Sequence, residues 1–179
     1  TWQVFPDVGG PPAWLSTPLQ LQDLASTQAY YFLAAMLIRN GEVDVSMCDD
    51  GGLQSDVVAS ACGVEAAKPA MLIWQNQFDQ EIIQAAGETG IPAQLMKNLF
   101  SRESQIWPAL YQTYKEAGLG QLTDNGADTV LLWNPEFYAQ FCPLVLDQTV
   151  CDLGFGNLGE EEQLMLRGAL VQHVNAGCP

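Results

Sequence analysis

Gly90-Ile91-Pro92-Ala93-Gln94-Leu95-Met96-Lys97-Asn98-Leu99-Phe100-Ser101-Arg102-Glu103-Ser104 is the stretch on which the reading of this chain turns. Gly-Ile-Pro is a helix start signal, because a proline in the first turn lacks only an N–H that would go unpaired anyway. A helix is therefore predicted to open near Pro92. Leu95, Met96, Leu99 and Phe100 then recur at three- and four-residue spacing, and the next step of that stripe lands on Glu103. A carboxyl group half-desolvated among Leu99, Phe100 and Trp107 would favour its protonated form, since burial disfavours charge. A general acid working near neutral pH needs that. The ordinary alternative is a glutamate that ends the helix at solvent or pairs with a cation such as Arg102.

A second motif follows at short range, Gly118-Leu119-Gly120-Gln121-Leu122-Thr123. Its two glycines let the backbone pass close to a ligand, with the Gln121 carboxamide presented beside it. It lacks the third glycine and preceding strand of a dinucleotide site, and no Gly-Lys-Ser/Thr follows, so phosphate cradling is not indicated. Taken together, Glu103-Ser104, Trp107-Pro108 and Gly118-Leu119-Gly120-Gln121-Leu122 resemble the lytic transglycosylase (SLT domain) family of the lysozyme-like superfamily, over roughly residues 85–141. In that family a helix ending in Glu-Ser, commonly followed by an aromatic and Asn-Pro, leads to Gly-Leu-Met-Gln. This chain departs from the pattern at Gly120, where the family has methionine, and at Lys115-Glu116, where it has Gly-Ala. The family's later Tyr-Asn-Ala-Gly is matched only in part by Val174-Asn175-Ala176-Gly177, with Val174 where the tyrosine would be, so the tyrosine is either missing or, the expectation here, supplied from sequence beyond Pro179.

The resemblance implies a lysozyme-like helical domain that cleaves peptidoglycan or a related glycan between N-acetylmuramic acid and N-acetylglucosamine. Glu103 would act first as acid and then as base. Ser104, Gly118, Leu119, Gly120 and Gln121 would hold the sugar, and Trp107 and Tyr111, standing between the motifs, are expected to line the cleft. One carboxylate would suffice, with no cofactor and no metal, whereas glycoside hydrolases use two. Asp124, Asp128 and Glu116 are the candidates for a second, and Asp124 and Asp128 read equally well as turn and helix-start residues. The rival reading is a non-catalytic extracellular glycan-binding or structural module that keeps the fold.

Composition narrows the partners. With 6 Lys and Arg against 21 Asp and Glu, the formal charge of −15 argues against nucleic acid. No run of about 18 apolar residues is present, so no membrane span is expected. Thr1 is not an initiator methionine, and the chain reads as a mature or trimmed product. Cys48 with Cys62, and Cys142 with Cys151, bracket short loops and are expected as disulfide staples of an extracellular or periplasmic protein. Cys178 is left over, for an intermolecular bridge, a free thiol or a missing partner. No Cys-x-x-Cys occurs and His173 stands alone, so zinc has no support. Asp44, Asp49 and Asp50 do not have EF-hand spacing and read as a solvated loop.

The expected architecture is mainly α. An irregular arm over 1–16 packs through Trp2, Phe5 and Trp14, and a first helix runs from about Pro18 to Asn40, with Thr17 as cap and Gly41 as stop. A second helix covers about 66–86. After the Pro92 helix, Asp124 starts another that Asn134-Pro135 breaks, and the last opens at Gly159 with Glu160, Glu161 and Glu162 at the positive end of its dipole. The division expected is an N-terminal extension over 1–65 and a catalytic domain over 66–179.

Overall fold

The structure, a computed structural model, describes residues 13–24, 30–107 and 116–176, with residues 175 and 176 described by backbone alone. Trp2, Phe5, Tyr111 and Cys178 lie outside the described residues. The fold is mainly α, and the chain divides into two compact units, Thr1–Ile106 and Trp107–Pro179. The boundary expected at 65/66 falls inside a continuous helix that packs on the helix before it.

In the first unit, helix α1 (Tyr31–Arg39) is apolar on nearly every side and buries Phe32, Leu33, Ala34, Ala35, Leu37 and Ile38, as an enclosed helix must. It stops as predicted: Gly41 takes φ +77° and its N–H donates to Ile38 O at 3.0 Å. Its start differs from expectation, since Leu21–Asp23 is a separate 3-10 turn. Thr17, the expected cap, caps another helix. Its Oγ1 accepts the Ala93 N–H at 3.1 Å, at the opening of the Pro92 helix.

A small antiparallel hairpin, β1 (Leu53–Ser55) and β2 (Val58–Ala59), pairs Leu53 with Ala59 and leads into α2 (Ala61–Asn76). Ser60 caps α2, its Oγ accepting the Gly63 N–H at 3.2 Å. The predicted Cys48–Cys62 disulfide ties the preceding loop to the first turn of α2. Gly63 lies so close to Gly52 that a Cβ there would stand 1.9 Å from Gly52 O.

The single helix expected over 66–86 is two. After α2 the chain slips at Gln77-Phe78 and restarts as α3 (Asp79–Thr89). Met71 and Ile82 are buried on either side of the slip, so the apolar stripe crosses it without a visible change of phase. Gly90 ends α3 at φ +73°, and α4 (Ala93–Glu103) follows from Pro92.

The second unit opens on a tight turn at 118–121 and continues through α5 (Asp124–Trp133), α6 (Pro135–Phe141), α7 (Gln148–Cys151) and α8 (Glu160–Ala176). Thr123 and Asn134 cap α5 and α6, each accepting an N–H at 3.1 Å. Asn134-Pro135 thus ends one helix and starts the next. The Cys142–Cys151 disulfide is present as predicted. It sits in a core with Leu131, Tyr138, Phe141, Phe155, Leu166 and Leu170. Among the described residues no helix is long and apolar enough to cross a membrane.

Candidate functional site

Helix α4 carries Glu103 as its last residue, but the helix is rolled about its axis relative to the apolar pattern. Its buried positions are Ala93, Lys97 and Ser101, one turn apart, with Ser104 completing the row. Leu99 is exposed, and Met96 and Phe100 are only partly buried, flanking Leu24, Ile82, Ala86 and Ala93. Glu103 is exposed too. The desolvation expected from Leu99 and Phe100 is therefore absent, because the row that packs inward holds Lys97 instead.

Lys97 is 0 % exposed and its ammonium is fully engaged. It donates to Leu24 O at 2.8 Å, to Asn76 Oδ1 at 2.9 Å, and to both Asp79 oxygens at 2.7 and 2.9 Å. Burial pushes the Asp79 carboxyl above the ordinary carboxylate range, and the Lys97 ammonium pulls it partway back. The slip at Gln77-Phe78 places Asp79 at the start of α3. Apolar periodicity cannot reveal such a pair. A lysine flanked at four-residue spacing by Ala93 and Ser101 was the available signal, since small neighbours let a long side chain run inward.

After Glu103 the backbone makes a corner. Gln105 and Ile106 take φ +51° and +66°, left-handed values that a β-branched residue rarely adopts. Surrounding contacts enforce them. Ile106 is fully buried, its carbonyl accepts the Trp74 Nε1–H at 3.0 Å, and its N–H reaches Phe100 O. The Gln105 carboxamide oxygen accepts the N–H groups of Phe32 and Leu33 at 2.9 and 3.2 Å, so it caps α1 from across the unit. Tyr30 Oη and Ser101 Oγ share a buried hydrogen bond of 3.0 Å. Ser104, expected to face substrate, is buried and donates to Phe100 O at 3.0 Å.

Trp107, Gly118, Leu119, Gly120 and Gln121 belong to the second unit. Ala117 and Leu122 pair as a two-residue antiparallel bridge, closing Gly118–Gln121 into a tight turn with φ +67° at Gly118 and +50° at Gln121. The Gln121 Nε2 donates to Gly118 O at 2.9 Å, so one end of the amide expected to meet a sugar is spent on the turn. A Cβ at Gly118 would stand 2.6 Å from Val174 Cγ1, which fixes the need for glycine there. Trp107, Leu119 and Gln121 are half-buried, while Gly120 is exposed.

Of the other carboxylates, Asp128 pairs with Arg167 of α8, and Asp124 is exposed at the start of α5. Asp44 and Asp50 close turns by accepting the N–H of Ser46 and Gly52 at 2.9 and 2.8 Å. Among the described residues no three His, Cys, Asp or Glu side chains converge as a metal site. The chain matches no family model, no curated protein and no solved structure.

Proposed function

We propose that the chain is a lytic transglycosylase that cleaves peptidoglycan in an oxidising compartment, with Glu103 as its acid and base. The observation that supports this most is the contact of Gly118 with Val174. It brings Val174 of α8 against Gly118 of the glycine turn, so that residues from two stretches that resemble the same family and lie far apart in sequence meet. Two further features support it. The corner at Gln105-Ile106, two residues past Glu103, is tied by hydrogen bonds to Phe32, Leu33 and Trp74, and Asp128, one candidate second carboxylate, is committed to Arg167. The two intramolecular disulfides and the absence of a membrane-crossing helix among the described residues are compatible with secretion.

In this reading the Glu103 proton goes to the glycosidic oxygen as the C1–O bond breaks. The resulting carboxylate then takes the proton of the muramoyl 6-hydroxyl, whose oxygen bonds to C1. The product is a 1,6-anhydro ring, and no water is consumed. Glu103 is exposed in the free chain, so the sugar itself must displace water from the carboxylate and favour its protonated form. Glu103→Gln keeps the shape and removes the proton, and is expected to abolish clearing of a peptidoglycan suspension while leaving the circular dichroism spectrum unchanged. Undiminished clearing would sink the assignment. Mass detection of the digest decides the chemistry, since reducing muropeptides would mean hydrolysis.

The exposure of Glu103 also favours a second reading, a glycan-binding module without catalysis. Wild-type chain that sediments with peptidoglycan and releases no fragments would establish that reading in place of the first.

A further inference from the structure

The first unit holds an open cavity of about 270 Å³ that no residue of the two motifs lines. Leu21, Gln22, Asn76, Gln77, Asp79 and Gln80 line it. Drug-sized ligands occupy roughly 300–1,000 Å³, so this space suits one ring-sized molecule.

The chemistry of the lining says which kind. Asp79, 5 % exposed, floors the cavity, and the wholly enclosed Lys97, which does not line it, cancels the Asp79 charge. Such a floor selects neither cation nor anion. Its hydrogen-bonding capacity is not exhausted, because each Asp79 oxygen takes one contact from Lys97 and a carboxylate oxygen has two lone-pair sites. Asn76 turns its Oδ1 toward the same ammonium and carries two Nδ2 hydrogens that can donate. A held acceptor therefore stands beside a held donor. Gln22, Gln77 and Gln80 are exposed carboxamides, each able to donate and accept, and Leu21 adds an apolar side. Hydroxyl groups, which donate and accept at once, are the complement of that set.

We infer that this cavity binds a single neutral, hydroxyl-rich molecule of sugar-ring size. The site goes beyond the reading of Glu103 and stands whether or not that residue is catalytic. The test is a titration of the isotope-labelled full chain with glucose and with N-acetylglucosamine, followed by NMR of backbone and side-chain amides. Saturable shifts centred on Gln22, Asn76, Gln77 and Gln80 are expected with at least one of the two sugars. Gln77→Leu and Gln80→Leu, both at exposed positions, should each weaken that binding about fivefold, the worth of one neutral hydrogen bond, with the rest of the spectrum unchanged. Shifts that are absent with both sugars, fail to saturate, or map elsewhere overturn the inference. So does tighter binding of protonated glucosamine than of either neutral sugar, because the acidic surface and not the cavity would then be the binder.

Discussion

Lys97 and Asp79 illustrate how much one residue can depend on another outside its own helix. Each is buried, and each is tolerable only because the other neutralises it. Lys97→Met alone is expected to destabilise the first unit by about 3–5 kcal/mol, since it strands a carboxylate. Lys97→Met with Asp79→Leu should recover most of that loss, and urea melts of the two single variants and the double complete the cycle. A double variant as unstable as the worse single would mean that the pair does more than cancel charge. Asp50 behaves differently. The Ser60 hydroxyl and the Gly52 N–H hold its carboxyl below the usual range of 3.8. A depressed value in the folded state means stability that is present above the unfolded value and is lost as pH falls through the folded one. The melting temperature of Asp50→Asn should therefore fall below that of wild type at neutral pH, and the gap should narrow on acidification below about pH 4. A gap that widens in acid would reverse the assignment.

At the scale of elements, the corner after α4 does two jobs, ending one helix and capping another. Gln105→Ala takes the acceptor away from the Phe32 and Leu33 amides and should cost about 1–3 kcal/mol. Gln105→Gly loses the same cap but relieves the left-handed backbone, and should be about 1 kcal/mol better than Ala. Equal stabilities of the two variants in denaturant would show that the positive φ stores no strain. Helix ends were the legible part of this sequence, because they are written in local chemistry: Gly41 at a left-handed stop, Pro92 before α4, Asp124 at the start of α5 and Asn134-Pro135 at its break. Whatever depended on distant partners was illegible. Thr17 was recognisable as a cap but not as the cap of a helix beginning at Ala93. The slip at Gln77-Phe78 was hidden because the apolar stripe continues across it, and the roll of α4 because counting apolar residues passes over a lysine that packs inward. The candidate site shared both properties. The Gly118–Gln121 turn was readable from its glycines, while the exposure of Glu103 followed from Lys97.

Across the whole molecule, each compact unit carries its own disulfide, Cys48–Cys62 in the first and Cys142–Cys151 in the second. Each closes a short loop, for which about 2–4 kcal/mol is the usual contribution. Replacing Cys48 and Cys62 by alanine should raise amide exchange around the β1–β2 hairpin and α2 and leave α5 to α8 at wild-type rates. Replacing Cys142 and Cys151 should do the reverse, and exchange read by mass spectrometry tells the two patterns apart. Loss of protection in both units from either change would contradict their independence. The enclosure of Lys97 also gives the chain an internal clock. Lys68 holds its amine in solvent, where an acylating reagent reaches it at once, whereas the Lys97 amine has its hydrogens committed and no solvent contact. Acylation at Lys97 then proceeds only when α4 lifts from α3, so the ratio of label on the two lysines counts the openings of the first unit without any probe being added to it.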